Sequence, residues 1–307
     1  MWSNPRIPYK LASDRKKLSL PDNKRIITNI VMNVEYWPYY KQMPRGILPP
    51  PHGKTAPPPD LPNFSWVEYG MRVGLSRCID LLSDYKIPVS TFINAQVCDV
   101  YESAFEKMCK FNWEMVGHGW IQESMRVVKN EEEVIKKSLE KLRKRSGQKV
   151  KSWFGPGGGE TDDTLEILKE NNVNFVHDWV VDDLPCWIRT KKGPMVALPY
   201  TFELNDVPIW TIQNNSCDEM LKRIKATLEV FDSEKKNNVK ILTIALHPHI
   251  VGVPQNFKYL RDIIELLISK KDLMFMTSTE IGEWFIESSS EEKNEIEKLS
   301  NSEPKLV

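Results

Sequence analysis

Three short stretches hold the side chains best suited to moving protons: Asn33-Val34-Glu35, Gly117-His118-Gly119-Trp120 and Leu246-His247-Pro248-His249. A carboxylate accepts a proton from water, and an imidazole titrates near neutrality, so the set suits general acid–base work. Each stretch directly follows apolar residues of strand character: Ile27 to Val31, Met115-Val116, and Ile241 to Leu246. Parallel α/β folds place their reactive groups at such carboxyl ends of strands. Three strand ends of this kind can converge on one pocket. Asn33 and Glu35, two residues apart, share a strand face and both point into that pocket.

The elements that must position them follow from periodicity. Arg25 to Glu35 reads as a first strand, and residues 1–24 before it as an irregular arm. Nine prolines between Pro38 and Pro62 exclude a helix or central strand there and predict a long, stiff loop, either a lid or assembly arm or a plain surface excursion. Helical spacing over Tyr69–Lys86 leads to a strand at Val89–Ile93, and the unit repeats. Helices are expected near Tyr101–Lys110, at Glu131–Arg145 behind an Asn130 cap, and over Thr161–Asn171, Asp218–Phe231, Phe257–Ser269 and Thr279–Ile286. Strands are expected near Trp113–Val116 and over Val150–Phe154, Val239–Leu246 and Leu273–Met276. Such alternation implies an α/β fold, a parallel sheet or barrel with helices outside. One domain over residues 25–287 accounts for it. The charged tail, 288–307, is expected to be weakly ordered.

Composition narrows the partners. Forty-two basic residues cancel 42 acidic ones, so no long-range field draws the chain to nucleic acid or an anionic membrane. Five scattered cysteines without a CxxC pair argue against a disulfide framework and a zinc knuckle, and suit a reducing cytoplasm. No run approaches the ~18 apolar residues of a membrane span, and the first residues lack a signal-peptide core.

Asn33-x-Glu35, Gly117-His118-Gly119, Gly155-Pro156-Gly157 and Leu246-His247-Pro248 together resemble the ordered motifs of the polysaccharide deacetylase superfamily, carbohydrate esterase family four. The resemblance spans roughly residues 25–287. With Trp66-Val67-Glu68-Tyr69-Gly70-x-Arg72, it is nearest to the cytosolic allantoinase-like and cyclic-imide-hydrolase-like branch. This implies a distorted (β/α) barrel, hydrolysis of a non-peptide C–N bond in a small cyclic amide, imide or ureide, and assembly as a homotetramer. An N-deacetylase of an acetylated sugar and a non-catalytic binding protein with a degenerate pocket are the alternatives. Metal-dependent members carry Asp-Asp or Asp-x-Asp at the first strand end and two histidines four apart, whereas this chain has Asn33, Glu35 and Gln122. A tight zinc site is therefore not expected; Glu35, His118 and Gln122, with Glu123 or a water, are what could hold a weakly bound divalent metal.

Without a metal, amide opening needs a base for water, charge stabilisation at the oxyanion and an acid for the departing nitrogen. Glu35 is the expected base, its pKa raised by partial burial against Tyr36 and Trp37; a salt-bridged structural carboxylate is the other use of such a residue. His247 is the expected acid, while His118, between flexible glycines, binds substrate or orients water. Expected substrate contacts are Asn33, Trp120, Asp178 and His249, with Gly157 in a run that either presents N–H groups to an oxyanion or makes a plain turn. Arg72 either binds a substrate oxygen or pairs with Glu68 one turn away. Asp182 and Asp183, and then Glu203 and Asn205, rank lower as polar walls.

Overall fold

The computed structural model describes residues 2–48 and 57–300. Residues 49–56, with the Pro49-Pro50-Pro51 run of the expected loop, and residues 301–307 of the tail lie outside the described residues. Among the described residues nine strands form one sheet: β1 (Ile26–Val34), β2 (Val89–Ile93), β3 (Glu114–Gly117), β4 (Ser152–Trp153), β5 (Phe175–Val176), β6 (Cys186–Ile188), β7 (Met195–Ala197), β8 (Lys240–Leu246) and β9 (Leu273–Phe275). Their order is β6-β7-β5-β4-β3-β2-β1-β8, with β9 also against β1. All neighbours run parallel except β6 and β7. The sheet curls into a distorted barrel, and the chain after β7 meets β8 through a parallel bridge from Asn205 to Ala245.

All nine β1 residues are buried because both faces of the strand are covered. Ile26, Ile30, Met32 and Val34 face the outer helices. The alternate residues line the interior in layers. Ile27 packs low, with Phe175, Ile241 and Phe285. Above it lies a polar belt in which Asn29 Nδ2 donates to Ser278 Oγ (3.2 Å), His177 Nε2 contacts the same hydroxyl (2.9 Å), and Ser90 Oγ donates to Glu114 (2.9 Å). Val31, Phe92, Val116, Phe154, Tyr200 and Ala245 form an apolar layer over the belt. Asn33 and Glu35 stand above that.

The outer helices are α1 (Leu61–Tyr69), α2 (Leu75–Asp84), α3 (Val97–Val100), α4 (Glu102–Lys110), α5 (Glu131–Ser146), α6 (Thr164–Glu170), α7 (Glu219–Glu234), α8 (Pro248–Val251), α9 (Pro254–Ser269), α10 (Ser278–Ser288) and α11 (Ser290–Ser300). Two expectations are corrected. The helix placed at Tyr69 begins at Leu61, because Asp60 caps it by accepting from Asn63 N and Pro62 is tolerated in its first turn; a π turn at Gly70–Gly74 joins α1 to α2. The tail is helical through Ser300, because Ile296 is buried against the low core layer while Lys10, Arg15 and Lys16 reach Glu291 and Glu292.

Candidate active site

Three strand ends deliver one buried cluster. Glu35 Oε1 lies 3.6 Å from His118 Nε2 and 3.5 Å from His247 Nε2, while its Oε2 accepts a hydrogen bond from Trp37 Nε1 at 2.8 Å. The imidazole separations are long for hydrogen bonds, so the attraction there is chiefly electrostatic. Glu35, His118 and His247 are 5%, 0% and 5% exposed, which keeps screening low. Their expected convergence is what the fold produces.

The expected direction of the Glu35 pKa is corrected. Burial opposes its ionisation, but the imidazoles of His118 and His247 outweigh burial and hold the carboxyl well below the ordinary range. His247 goes the other way. Burial disfavours its charge, yet Asp206 and then Glu35 push it up to about 9. Asp206 is fully buried and bidentate: Oδ1 is 2.6 Å from His247 Nδ1 and Oδ2 accepts from the His247 backbone N–H at 2.6 Å. At neutral pH the cluster thus pairs an ionised Glu35 with an imidazolium.

Several groups only orient. His118 Nδ1 lies 2.6 Å from Phe154 O, a pure acceptor, so that nitrogen carries the proton. Asn94 donates to the His118 carbonyl and accepts from Tyr36 N at 2.8 Å, tying the ends of β1 and β3 together. Asn33 Nδ2 reaches Leu246 O (3.2 Å) and Tyr200 Oη (3.5 Å), bracing β1 against β8. Asn205 Nδ2 also donates to Tyr200 Oη at 3.1 Å. Two donors onto one phenolic oxygen leave its own O–H to donate elsewhere.

His249, 3% exposed, lies beside the cluster, its ring 5.7 Å from His247 and edge-on to Trp66 (4.5 Å) and Trp37 (5.6 Å). Burial, followed by the His247 charge, lowers its pKa to about 3, and no described residue bonds its Nε2. Glycines let α8 come this close: a Cβ on Gly70 would stand 2.4 Å from His249 Cα, and one on Gly74 2.0 Å from Pro248 O.

Other expected residues make contacts outside the Glu35–His118–His247 cluster. Asp178 accepts from Gly155 N at 2.8 Å and closes the glycine turn; burial, then Glu160, raises its pKa, while burial pushes Glu160 to about 7. Gly157, at φ 67°, is on the exposed rim of that turn. Trp120 is half-buried under the ammonium groups of Lys137 (5.0 Å) and Lys141 (4.6 Å). Arg72 pairs with Glu68 at 2.7 Å, and its side chain is 75% exposed. Asp182 binds Arg15 and Asp183 binds Lys240, both away from the cluster. The carbonyl of Glu203 accepts from Arg223.

Zinc, which the resemblance raises, needs about three protein ligands around one point. Among the described residues no group of three or more His, Cys, Asp or Glu is so arranged, Gln122 Oε1 accepts from Asn94 Nδ2 at 3.3 Å, and Glu123 pairs with Lys41 at 3.1 Å. This donor set does not fit a tight zinc site.

Residues 67–176, which include His118 and the glycine turn, match the family model described as Polysaccharide deacetylase. A Schizosaccharomyces pombe protein described as a polysaccharide deacetylase is 26% identical over 239 residues, covering 71% of this chain and 74% of that protein. A structure from Pseudomonas aeruginosa PAO1 described as a polysaccharide deacetylase superposes with a TM-score of 0.80 at 21% identity, covering 90% of this chain and 96% of the other. The crystal structure of Puue allantoinase gives a TM-score of 0.79 at 23% identity over 90% and 95% of the two chains. No helix among the described residues is long and apolar enough to cross a membrane.

Proposed function

We propose that this deacetylase-type hydrolase opens a C–N bond in a small cyclic amide, imide or ureide without a tightly bound metal. The complementary protonation of Glu35 and His247 carries the reading. Glu35 takes a proton from water as its oxygen bonds to the carbonyl carbon. The carbonyl π electrons move onto oxygen, where the free Tyr200 O–H supplies a hydrogen bond. As the tetrahedral centre collapses, the C–N pair leaves with nitrogen and takes the His247 proton, while Asp206 holds the imidazole in place. His118, pinned by Phe154 O, orients the water. The burial of the cluster favours a small ring over a polymer chain. Likeness to an allantoinase fold is consistent with that choice, while relatives described as polysaccharide deacetylases support the second reading, removal of an acetyl group from an amino sugar.

Hydrolysis of a panel of cyclic amides, imides and ureides beside N-acetylated sugars tests the choice. With the best substrate, Glu35→Gln and His247→Ala each lower kcat by about 100-fold or more, and less than multiplicatively when combined. Wild-type kcat in either folded, saturated variant removes that residue from the chemistry. Self-association, suspected as a tetramer, accompanies this proposal, because exposed Tyr40, Leu61 and Tyr69 belong to the same 36–72 region as a groove of about 580 Å³ beside Tyr36, Phe64 and Met71. Light scattering showing a monomer at micromolar concentration removes it.

A further inference from the structure

The loop after β1 places one cation at the site that the proposed chemistry does not use. Arg45 is half-buried, and no described residue makes a hydrogen bond or ion pair with its guanidinium. Its position is fixed on both sides. Before it, Met43 is buried in an aromatic cluster with Trp37, Val67, Phe64 and Trp66. After it, Asn63 Oδ1 of α1 accepts from Ile47 N (2.7 Å) and Leu48 N (3.2 Å), and Gly46 lies so close to Asn63 that a Cβ would meet its Nδ2 at 2.9 Å. The same Trp37 and Trp66 flank His249, and Trp66 Nε1 donates to the His249 carbonyl at 2.9 Å. Arg45 is near enough for its charge to act on both Asp206 and His249. The oxygens of Asp206 contact His247, and no hydrogen bond or ion pair joins Asp206 to Arg45.

The second unmet group is the buried Nε2 of His249, whose ring packs against the same Trp37 and Trp66. A guanidinium offers forked donors to an oxygen anion, and a neutral imidazole adds one N–H if the proton is on Nε2. Leaving the buried His249 Nε2 unmatched costs free energy that a ligand oxygen would remove, and the half-buried guanidinium is free to bind the same anion.

We propose that Arg45 and His249 form the substrate's anion anchor, selecting rings that carry a carboxylate over neutral rings of the same shape. The anchor rests on the hydrolase reading only for its role in turnover; binding tests it separately. A carboxylate held there lies at the loop side and leaves the scissile carbonyl to Glu35 and His247. Dihydroorotate and dihydrouracil are a matched pair, the same cyclic ureide with and without a carboxylate. Calorimetric titration of the wild-type chain is expected to show about 10- to 100-fold tighter binding of dihydroorotate. Arg45→Gln abolishes that preference, and Arg45→Lys, which keeps the charge but not the fork, retains part of it. Unfolding midpoints of both variants stay at the wild-type value, since the side chain makes no contact that the fold requires. Arg45-dependent preference without hydrolysis of either ring upholds the anchor and counts against the hydrolase reading. Hydrolysis without preference does the reverse. A wild-type chain that does not bind the acid more tightly than the neutral ring, or an Arg45→Gln variant that keeps the preference, overturns the proposal.

Discussion

Replacing Asp206 with Asn tests the electrostatics of the site with little change of shape. The Asn oxygen can still accept from the His247 backbone N–H, but its amide would face Nδ1, where a carboxylate oxygen now lies 2.6 Å away. Without the Asp206 charge, burial dominates, and His247 falls from about 9 to its ordinary 6.5 or lower. That fall corresponds to about 3 kcal/mol of lost preference for the imidazolium. At pH ~7.5 almost all wild-type His247 is charged, against about one tenth or less in the variant, so kcat/KM falls about tenfold there. The alkaline limb of the pH profile moves down with the pKa, while the acid limb, set by the depressed Glu35, stays below the ordinary carboxylate range. Stability moves in the same sense. A histidine raised on folding stabilises fully below its unfolded pKa, near 6.5, and loses that contribution as pH rises through about 9. The wild-type unfolding midpoint should therefore decline across that window and the variant's should not. Following the His247 ring by NMR during titration gives the decisive reading. A ring that still titrates near 9 in Asp206→Asn, with an unmoved alkaline limb, refutes the coupling.

Two further outcomes follow from the local geometry. Gly74→Ala places a methyl 2.0 Å from Pro248 O, so α8 must move; a cost of about 1–3 kcal/mol, read as a midpoint lower by roughly 2–4 °C per kcal/mol, should come with reduced kcat. An unchanged midpoint contradicts the close packing of α8. Removing divalent metal with a chelator should leave folding and activity unchanged, and elemental analysis finding one tightly held zinc per chain refutes the metal-free mechanism.

The sequence made the reactive strand ends readable because each follows a short apolar run, and the β/α alternation that carries them is periodic. It did not make Asp206 readable as the partner of His247. Forty-one residues separate the two, and their contact depends on how the chain after β7 crosses to β8. Tyr200 and Asn94 were hidden for the same reason: a phenol and an amide have no spacing signature until strands bring their partners together. Phe175–Val176 and Cys186–Ile188 are too short for a period to show, and α11 looked too polar until the terminal arm supplied the bases that neutralise it. For Glu35, proximity to Trp37 signals burial and a raised pKa, whereas the two opposing imidazoles come from residues 83 and 212 positions away. Arg45 had no motif at all.

The apolar layer beneath Glu35 also governs traffic. Val31, Phe92, Val116, Phe154 and Ala245 offer no side chain that can relay a proton to the belt of Asn29, Ser90 and Glu114 below, and the Tyr200 hydroxyl is held at the upper side by Asn33 and Asn205. On the proposed mechanism, the proton that Glu35 takes from water stays on the upper side of this layer and passes to His247 once that imidazolium has protonated the departing nitrogen.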